Sequence, residues 1–263
     1  MVDFTKMIPH EIRNLIRKEE FNKQTSGISL GYAQANLVIL SKEDAFEFLL
    51  FAQRNPKPCP ILDITDPGNP EPKYTAPGAD IRTDLPRYRI YSDGALIDEV
   101  QNLNNYWKED LVGFLLGCSF TFESALINAG IPIRHIEENH NVPMYITNIK
   151  CNPAGKFRGP LVVSMRPIPP HQAVKAIQVT SRFPGVHGAP VHLGDPLKIG
   201  IKNIDCPDFG EPSTIKAGEV PVFWACGVTP QAVAMEASLR FMITHSPGHM
   251  FITDICEENL SMF

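Results

Sequence analysis

Five stretches of the chain combine the spacing of apolar residues typical of a helix with signals that start or end one. In the first stretch, which Pro9 opens, Ile12 and Ile16 lie on one face. Ser41 precedes two acidic residues and is therefore expected to cap the second helix at its amino end. The predicted helices start at Pro9, run from Ser41 to about residue 54, and cover residues 110–130, 170–182 and 229–242.

Shorter apolar runs, bounded by glycine and proline, predict strands that alternate with these helices, a pattern that favours an α/β fold. We predict an α/β protein in which a layered main domain, built on a mixed sheet, carries a smaller inserted α+β domain. The main domain is expected to comprise residues 1–119 and 191–263, and the inserted domain residues 120–190. The predicted strands cover residues 59–65, 87–91, 144–149, 161–165, 197–201, 221–225 and 251–255, with a short apolar run at 36–40.

Residues 181–196 show neither the helical nor the strand spacing of apolar residues. They contain two histidines, one arginine, one aspartate, three glycines and three prolines, and they lack lysine, glutamate and glutamine. The glycines and prolines predict a loop, and loops of this composition are where binding and catalytic residues concentrate. We interpret the segment as part of an active site. The alternative is a tightly turned connection whose histidines bond to the backbone.

Each polar residue of this loop has a candidate role. Arg182 is suited to holding a carboxylate. His187 and His192 are candidate proton carriers because imidazole titrates near neutral pH, and Asp195 could orient one of them. A second interpretation is that these two histidines and Asp195 bind zinc or iron, although their spacing matches no established metal motif.

A second candidate segment surrounds Glu123, which lies close to Phe120 and Phe122. A carboxylate between aromatic rings can have a raised pKa and act as an acid or a base. The alternative is a helix start that Ser119 caps, with Glu123 in solvent.

Two further segments end predicted strands. Ser164 and Arg166 come at the end of the predicted strand 161–165, where ligands of α/β sheets commonly bind. An arginine there could capture a carboxylate or form a structural ion pair. Cys226, Gly227 and Thr229 join a predicted strand to a helix whose free backbone N–H groups could bind an anion. The alternative is an ordinary connection, and Cys226 could be a thiolate that the helix dipole favours.

The composition is that of an ordinary globular protein, with 263 residues, 43% of them hydrophobic and 20% charged. The formal net charge is -5 without a basic stripe, so we expect no nucleic-acid partner. No segment is apolar enough to span a bilayer, no signal peptide is recognisable, and the six cysteines have no metal-binding or disulfide spacing. We expect a cytoplasmic protein without a membrane partner, and homo-oligomerisation stays open.

Eight stretches together resemble the hydro-lyase family that is also called the D-glutamate cyclase family. The resemblance implies a two-domain α/β fold and a hydro-lyase activity, and the family name suggests a relation to the cyclisation of D-glutamate to 5-oxo-D-proline and water. The matching stretches cover residues 31–37, 55–60, 80–86, 117–123, 142–145, 164–167, 182–196 and 224–231.

We therefore predict a lyase that uses acid–base chemistry, without a metal or another cofactor, on a small carboxylate such as an amino or hydroxy acid. The arginines would hold the carboxylate, one histidine would move a proton, and Glu123 would protonate the departing water. The alternatives are a non-catalytic protein that binds a small carboxylate to regulate or deliver it, and a metalloenzyme. The candidate catalytic residues are His187, His192, Asp195 and Glu123, and the candidate substrate-binding residues are Arg166, Arg182, Ser164, Cys226, Gly227 and Thr229.

Overall fold

A computed structural model describes residues 3–262, apart from the side chains of residues 231, 234 and 235. Within that part of the chain, the larger sheet has seven strands, and their pairings are antiparallel. The strands are β1 (Tyr32–Ser41), β2 (Ile61–Ile64), β3 (Tyr88–Ser92), β4 (Ala95–Val100), β5 (Leu111–Gly117), β10 (Met242–His245) and β11 (Phe251–Cys256). The long β1 pairs with β5 along most of its length, with β11 near its start and with β10 near its end.

A second antiparallel sheet has four strands in residues 3–262: β6 (Met144–Lys150), β7 (Pro160–Ile168), β8 (His192–Leu193) and β9 (Val220–Ala225). Their order across the sheet is β6-β7-β9-β8. The helices that accompany the two sheets are α1 (Pro9–Arg17), α2 (Lys42–Arg54), α3 (Glu123–Asn128), α4 (Arg134–Glu137), α5 (Pro170–Ser181) and α6 (Thr229–Ala237). The predicted α/β fold class is confirmed.

One hydrophobic core joins the two sheets. Leu40 of β1 and Phe48 of α2 belong to the same buried cluster as Val163 of β7 and Phe223 of β9. Phe48 also meets Phe157 edge to face, with 5.4 Å between the ring centroids, a geometry that aromatic pairs favour. Apolar burial therefore continues from one sheet to the other, and the division into a main and an inserted domain stays a prediction.

The predicted helix over residues 110–130 is wrong in its first half. Residues 111–117 form β5, and all seven are buried between β1 and β2. A continuous apolar run suits a buried strand as well as a buried helix. Gly117 ends the strand at a close approach, since a Cβ at that position would lie 2.1 Å from the carbonyl oxygen of Gly185. A short 3-10 helix, Ser119–Phe122, then leads into α3.

Two other sequence-based elements differ from the structure. The predicted strand over residues 197–201 is instead the 3-10 helix Pro196–Ile199, because Pro196 suits a helix start and the Asp195 carboxylate caps it. The predicted helix over residues 229–242 ends at Ala237, where Ser238 adopts a left-handed conformation with φ 48°, and β10 follows.

Among the helices of residues 3–262, none combines the length and the apolar character that crossing a membrane requires.

Candidate active site

A buried ion pair joins α3 to the second sheet. Glu123 is 3% exposed and Arg166 is fully buried. Arg166 donates two hydrogen bonds to Glu123 Oε1, one of them from Nε at 3.1 Å. Its Nη1 donates to Ser164 Oγ at 3.2 Å and its Nη2 to Ser119 Oγ at 3.1 Å. All three nitrogens of the guanidinium are therefore engaged by protein groups.

Aromatic rings flank the same guanidinium. The Cζ atom of Arg166 lies 5.3 Å from the ring centroid of Phe122 and 5.5 Å from that of Trp224, within the range of cation–π attraction. Arg166 lies inside β7, which continues to Ile168, and not at the end of a strand as the sequence suggested. Ser164 and Arg166 point to the same face of β7 because side chains alternate along a strand.

A histidine also contacts the buried carboxylate. Nε2 of His135, a residue of α4, lies 3.1 Å from Glu123 Oε1, and both side chains are buried. Burial alone would raise the pKa of Glu123, but His135 and Arg166 outweigh it and hold this pKa below its usual value. Glu123 is therefore ionised at neutral pH.

A second carboxyl group lies nearby with the opposite protonation preference. Glu257 follows β11, and its Oε1 accepts a hydrogen bond from Ser124 Oγ at 3.2 Å. Burial raises the pKa of Glu257 to about 7, the negative charge of Glu123 adds to this effect, and the Ser124 hydrogen bond opposes it. A substantial fraction of Glu257 therefore carries a proton at neutral pH.

Glu123 and Glu257 line one small enclosed space, which we call the carboxylate cavity. Its volume is about 20 Å³, and a single water molecule needs roughly 10–15 Å³ by the same measure. Gln34 also lines this cavity, and within residues 3–262 its buried Oε1 atom has no hydrogen-bond partner. The cavity therefore places a few polar groups among mostly apolar walls and is large enough for one water-sized group.

A larger and more open groove adjoins the carboxylate cavity. This surface groove has a volume of about 1180 Å³, and Glu257 and Ser124 line both spaces. Arg182, which is exposed at the end of α5, is the only cationic side chain among the groove residues that the structure describes. Glu258 also lines the groove, and the two spaces share Leu30, Tyr32 and Ile127.

The structure buries His187 next to this region in a strained backbone conformation, with φ 82°. Its Nδ1 lies 2.7 Å from the carbonyl oxygen of Lys57, so Nδ1 carries the proton and Nε2 is an acceptor. Nε2 has no hydrogen-bond partner within residues 3–262. Burial lowers the pKa of His187 to about 4, and the nearby charge of Arg166 contributes. The imidazole is therefore neutral at pH 7.

The other two candidates of this loop are placed differently. Nε2 of His192 lies 2.8 Å from the backbone carbonyl oxygen of Asp195, and its ring packs on Phe223 at 5.7 Å between centroids. The Asp195 carboxylate accepts a hydrogen bond from Leu197 N at 3.0 Å and so caps the helix that follows. In residues 3–262, no three histidine, cysteine, aspartate or glutamate side chains are arranged to hold a metal ion. The metal-binding interpretation of this loop therefore lacks a ligand cluster.

Cys226, Gly227 and Thr229 build the turn between β9 and α6. Burial raises the pKa of the Cys226 thiol to about 11, so it is protonated at neutral pH. Gly227 packs against Asn36, since a Cβ there would lie 1.9 Å from Asn36 Nδ2. Thr229 Oγ1 donates to the carbonyl oxygen of Cys226 at 2.7 Å. Thr229 Oγ1 also accepts a hydrogen bond from Val162 N at 3.1 Å, so it ties the turn to β7.

Sequence reasoning singled out Glu123, Arg166 and Arg182 but missed His135 and Glu257. Glu257 lies 133 residues from its hydrogen-bond partner Ser124, and neither missed residue belongs to a local motif. The missing signal is spatial, because only the folded chain brings these side chains together.

Comparison with known proteins identifies close relatives over nearly the whole chain. A family model described as D-glutamate cyclase matches residues 112–254. A protein of Bacillus licheniformis and one of Thermoanaerobacter pseudethanolicus, each named "Putative hydro-lyase", are both 65% identical to this chain; they cover 98% and 99% of it, and 98% of each relative is covered. One of Stutzerimonas stutzeri with the same name is 61% identical, with 98% of both chains covered.

Among solved structures, a nitrogen repressor-like protein of Methanococcus jannaschii matches 95% of this chain and 98% of its own length, with 10% identity and a TM-score of 0.40.

Proposed function

The chain belongs to the D-glutamate cyclase family, and from this premise we propose that it is a hydro-lyase that expels water from a small carboxylic acid. The observation that carries the proposal is the pairing of two carboxyl groups at one cavity. Glu123 is held ionised, whereas the pKa of Glu257 is raised to about 7. Such a division of protonation states is how acid and base roles are separated in enzymes.

Elimination of water requires both an acid and a base. In a dehydration, the base removes a proton from carbon, a carbon–oxygen bond breaks, and the acid protonates the departing hydroxyl. In the cyclisation of a glutamate-like acid, a carbon–nitrogen bond forms as the carbon–oxygen bond of the side-chain carboxyl breaks. The protons that the nitrogen releases then balance those that the departing oxygen receives. Either reaction produces one water beside the proton donor.

We assign proton donation to Glu257 and proton acceptance to Glu123. Glu257 can donate near neutral pH because a substantial fraction of it is protonated there. Glu123 can accept because His135 and Arg166 keep it ionised. The carboxylate cavity, with its volume of about 20 Å³, would receive the departing water.

The two arginines then have different roles. Arg182 is exposed in the surface groove, and a guanidinium there would pair with the carboxylate of the substrate. Arg166 is fully engaged by Glu123 and two serines, so we assign it as a positioning residue for Glu123. The neutral His187, with its unpartnered Nε2 among the described residues, is a second candidate base.

The test is a direct assay of water elimination by the purified protein. D-glutamate, L-glutamate and a set of 2-hydroxy and 3-hydroxy acids are incubated with it, and products are followed by NMR. For the substrate so found, Glu257→Gln and Glu123→Gln should each lower kcat by about 10²- to 10⁴-fold, the usual contribution of one acid or base. Arg182→Ala should mainly raise KM. Glu20→Gln, which changes an exposed glutamate outside the groove, is the matched control.

Two results would count against the proposal. Full turnover in Glu257→Gln would remove the proton donor from the mechanism. Tight binding of a carboxylate by the wild-type protein, with no turnover of any substrate, would instead favour the alternative of a non-catalytic carboxylate-binding protein.

A further inference from the structure

The surface groove is much larger than a compact amino acid requires. Pockets of about 300–1,000 Å³ typically enclose ligands of drug size, and this groove measures about 1180 Å³. The carboxylate cavity at its inner end holds only a water-sized group. Most of the groove therefore lies outside the place where the proposed chemistry occurs.

The lining of the groove is more apolar than polar. Leu30 is 52% exposed and Ile127 is 46% exposed, and both lie in this groove. Val179 of α5, Ala125 of α3 and Ala129, which follows α3, extend the same surface. Large apolar side chains grouped in a concave surface favour an apolar ligand, because the contact removes their area from water.

Charge restricts the ligand further. Arg182 is the only cation among the described lining residues, and it lies three residues after Val179, so the two are neighbours at the end of α5. A ligand that satisfies both would carry one carboxylate and an apolar chain. Glu258, and the fraction of Glu257 that is ionised, would disfavour a second negative charge in the groove.

Resting on the proposed function, we propose that the substrate is a hydroxy acid with an unbranched or lightly branched apolar chain of several carbons. Its carboxylate pairs with Arg182, and its chain covers Leu30, Ile127 and Val179. The carbon–hydroxyl bond that breaks lies beside Glu257, which protonates the departing hydroxyl while the base takes the proton of the adjacent carbon. A compact acid such as glutamate would leave this apolar surface in water.

Isothermal titration calorimetry with butanoate, hexanoate and octanoate tests the chain-length requirement. Each buried methylene should tighten binding about fourfold, the equivalent of about 0.8 kcal/mol, so the four extra methylenes of octanoate should lower Kd about 250-fold relative to butanoate. Arg182→Ala should weaken binding of all three probes by a similar factor, because it removes the shared carboxylate contact.

Ile127→Asp and Ile146→Asp form a matched pair, since Ile127 is 46% exposed within the groove and Ile146 is 39% exposed on β6 outside it. Ile127→Asp should abolish the gain between butanoate and octanoate. Ile146→Asp should keep the full gain.

Three results would overturn the inference. The first is that octanoate binds no more tightly than butanoate. The proposed hydro-lyase function would still stand in that case if the protein eliminates water from a compact acid. Equal losses in Ile127→Asp and Ile146→Asp would show that the contact is not in the groove. A dimer that only Ile127→Asp dissociates would mean that a second copy of the chain covers this surface.

Discussion

Replacing Glu257 by glutamine should stabilise the protein at pH 8 and change its stability little near pH 4. Burial beside Ser124 and Glu123 raises the pKa of Glu257 to about 7, from an ordinary value of 4.5. The folded state therefore binds this proton more tightly than the unfolded chain does. Stability from this group is fully present below pH 4.5 and is lost as the pH rises through about 7. Glutamine cannot ionise, so the variant avoids that loss.

The size of the effect follows from the two pKa values. The difference between about 7 and 4.5, at about 1.4 kcal/mol for each pH unit, corresponds to about 3 kcal/mol in the free energy of unfolding. Glu257 is only partly buried, and solvent screening reduces electrostatic terms at such positions. We therefore expect the variant to gain on the order of 1–2 kcal/mol over the wild-type protein between pH 4 and pH 8.

Urea unfolding at one-unit steps from pH 4 to pH 8 measures this difference. Glu20→Gln, at an exposed site away from the groove, should follow the wild-type curve at every pH. The reasoning would be refuted if the difference between Glu257→Gln and the wild-type protein stayed constant over this range or fell as the pH rose.

Two further predictions concern the packing around the site. Arg166→Met should lower the free energy of unfolding by about 3–5 kcal/mol at pH 7, because it leaves the Glu123 carboxylate buried without its guanidinium partner; a loss below about 1 kcal/mol in urea unfolding would contradict this. Gly117→Ala should cost about 1–3 kcal/mol, since its Cβ would meet the carbonyl oxygen of Gly185 at 2.1 Å. Gly185→Ala, whose Cβ would have Leu260 Cδ2 at 4.0 Å as its nearest neighbour, should be nearly neutral, and equal effects would refute the packing argument.

Elements with local signals could be predicted from the sequence. Ser41 caps α2 as expected, because the bond from Asp44 N to Ser41 Oγ, at 3.3 Å, joins residues three apart. The Asp93–Gly94 turn likewise joins β3 to β4, as two residues that tolerate positive φ suggest. In both cases the decisive interaction lies within a few residues of the pattern.

Elements that depend on distant partners could not be predicted in the same way. The apolar run of β5 fits a buried helix or a buried strand, and only its pairing with β1 and β2 decides between them. β10 was missed for the same reason, since it is four residues long and pairs with β1 and β3.

The candidate site shows a similar division. Glu123 and Arg166 could be singled out because each belongs to an unusual local stretch, but their direct pairing joins residues 43 apart in the chain. That pairing changes the role expected of Arg166, because a fully buried guanidinium that already bonds to Glu123 and two serines is poorly placed to hold a substrate. The role of Glu257 depends on its burial, which its position after β11 does not reveal.

The central claim, that the two carboxyl groups of one cavity have opposite protonation states at neutral pH, can be measured without a substrate. Protein labelled with ¹³C at the glutamate side-chain carboxyl carbons is titrated by NMR, and Glu257→Gln and Glu123→Gln assign the two signals. We expect the Glu257 signal to titrate with a midpoint of about 7. As the pH is lowered, the Glu123 signal should stay at the position of an ionised carboxylate until the pH is below the usual pKa of glutamate. A Glu257 midpoint at the ordinary value of 4.5 would contradict the account, because no proton donor would then remain at the cavity.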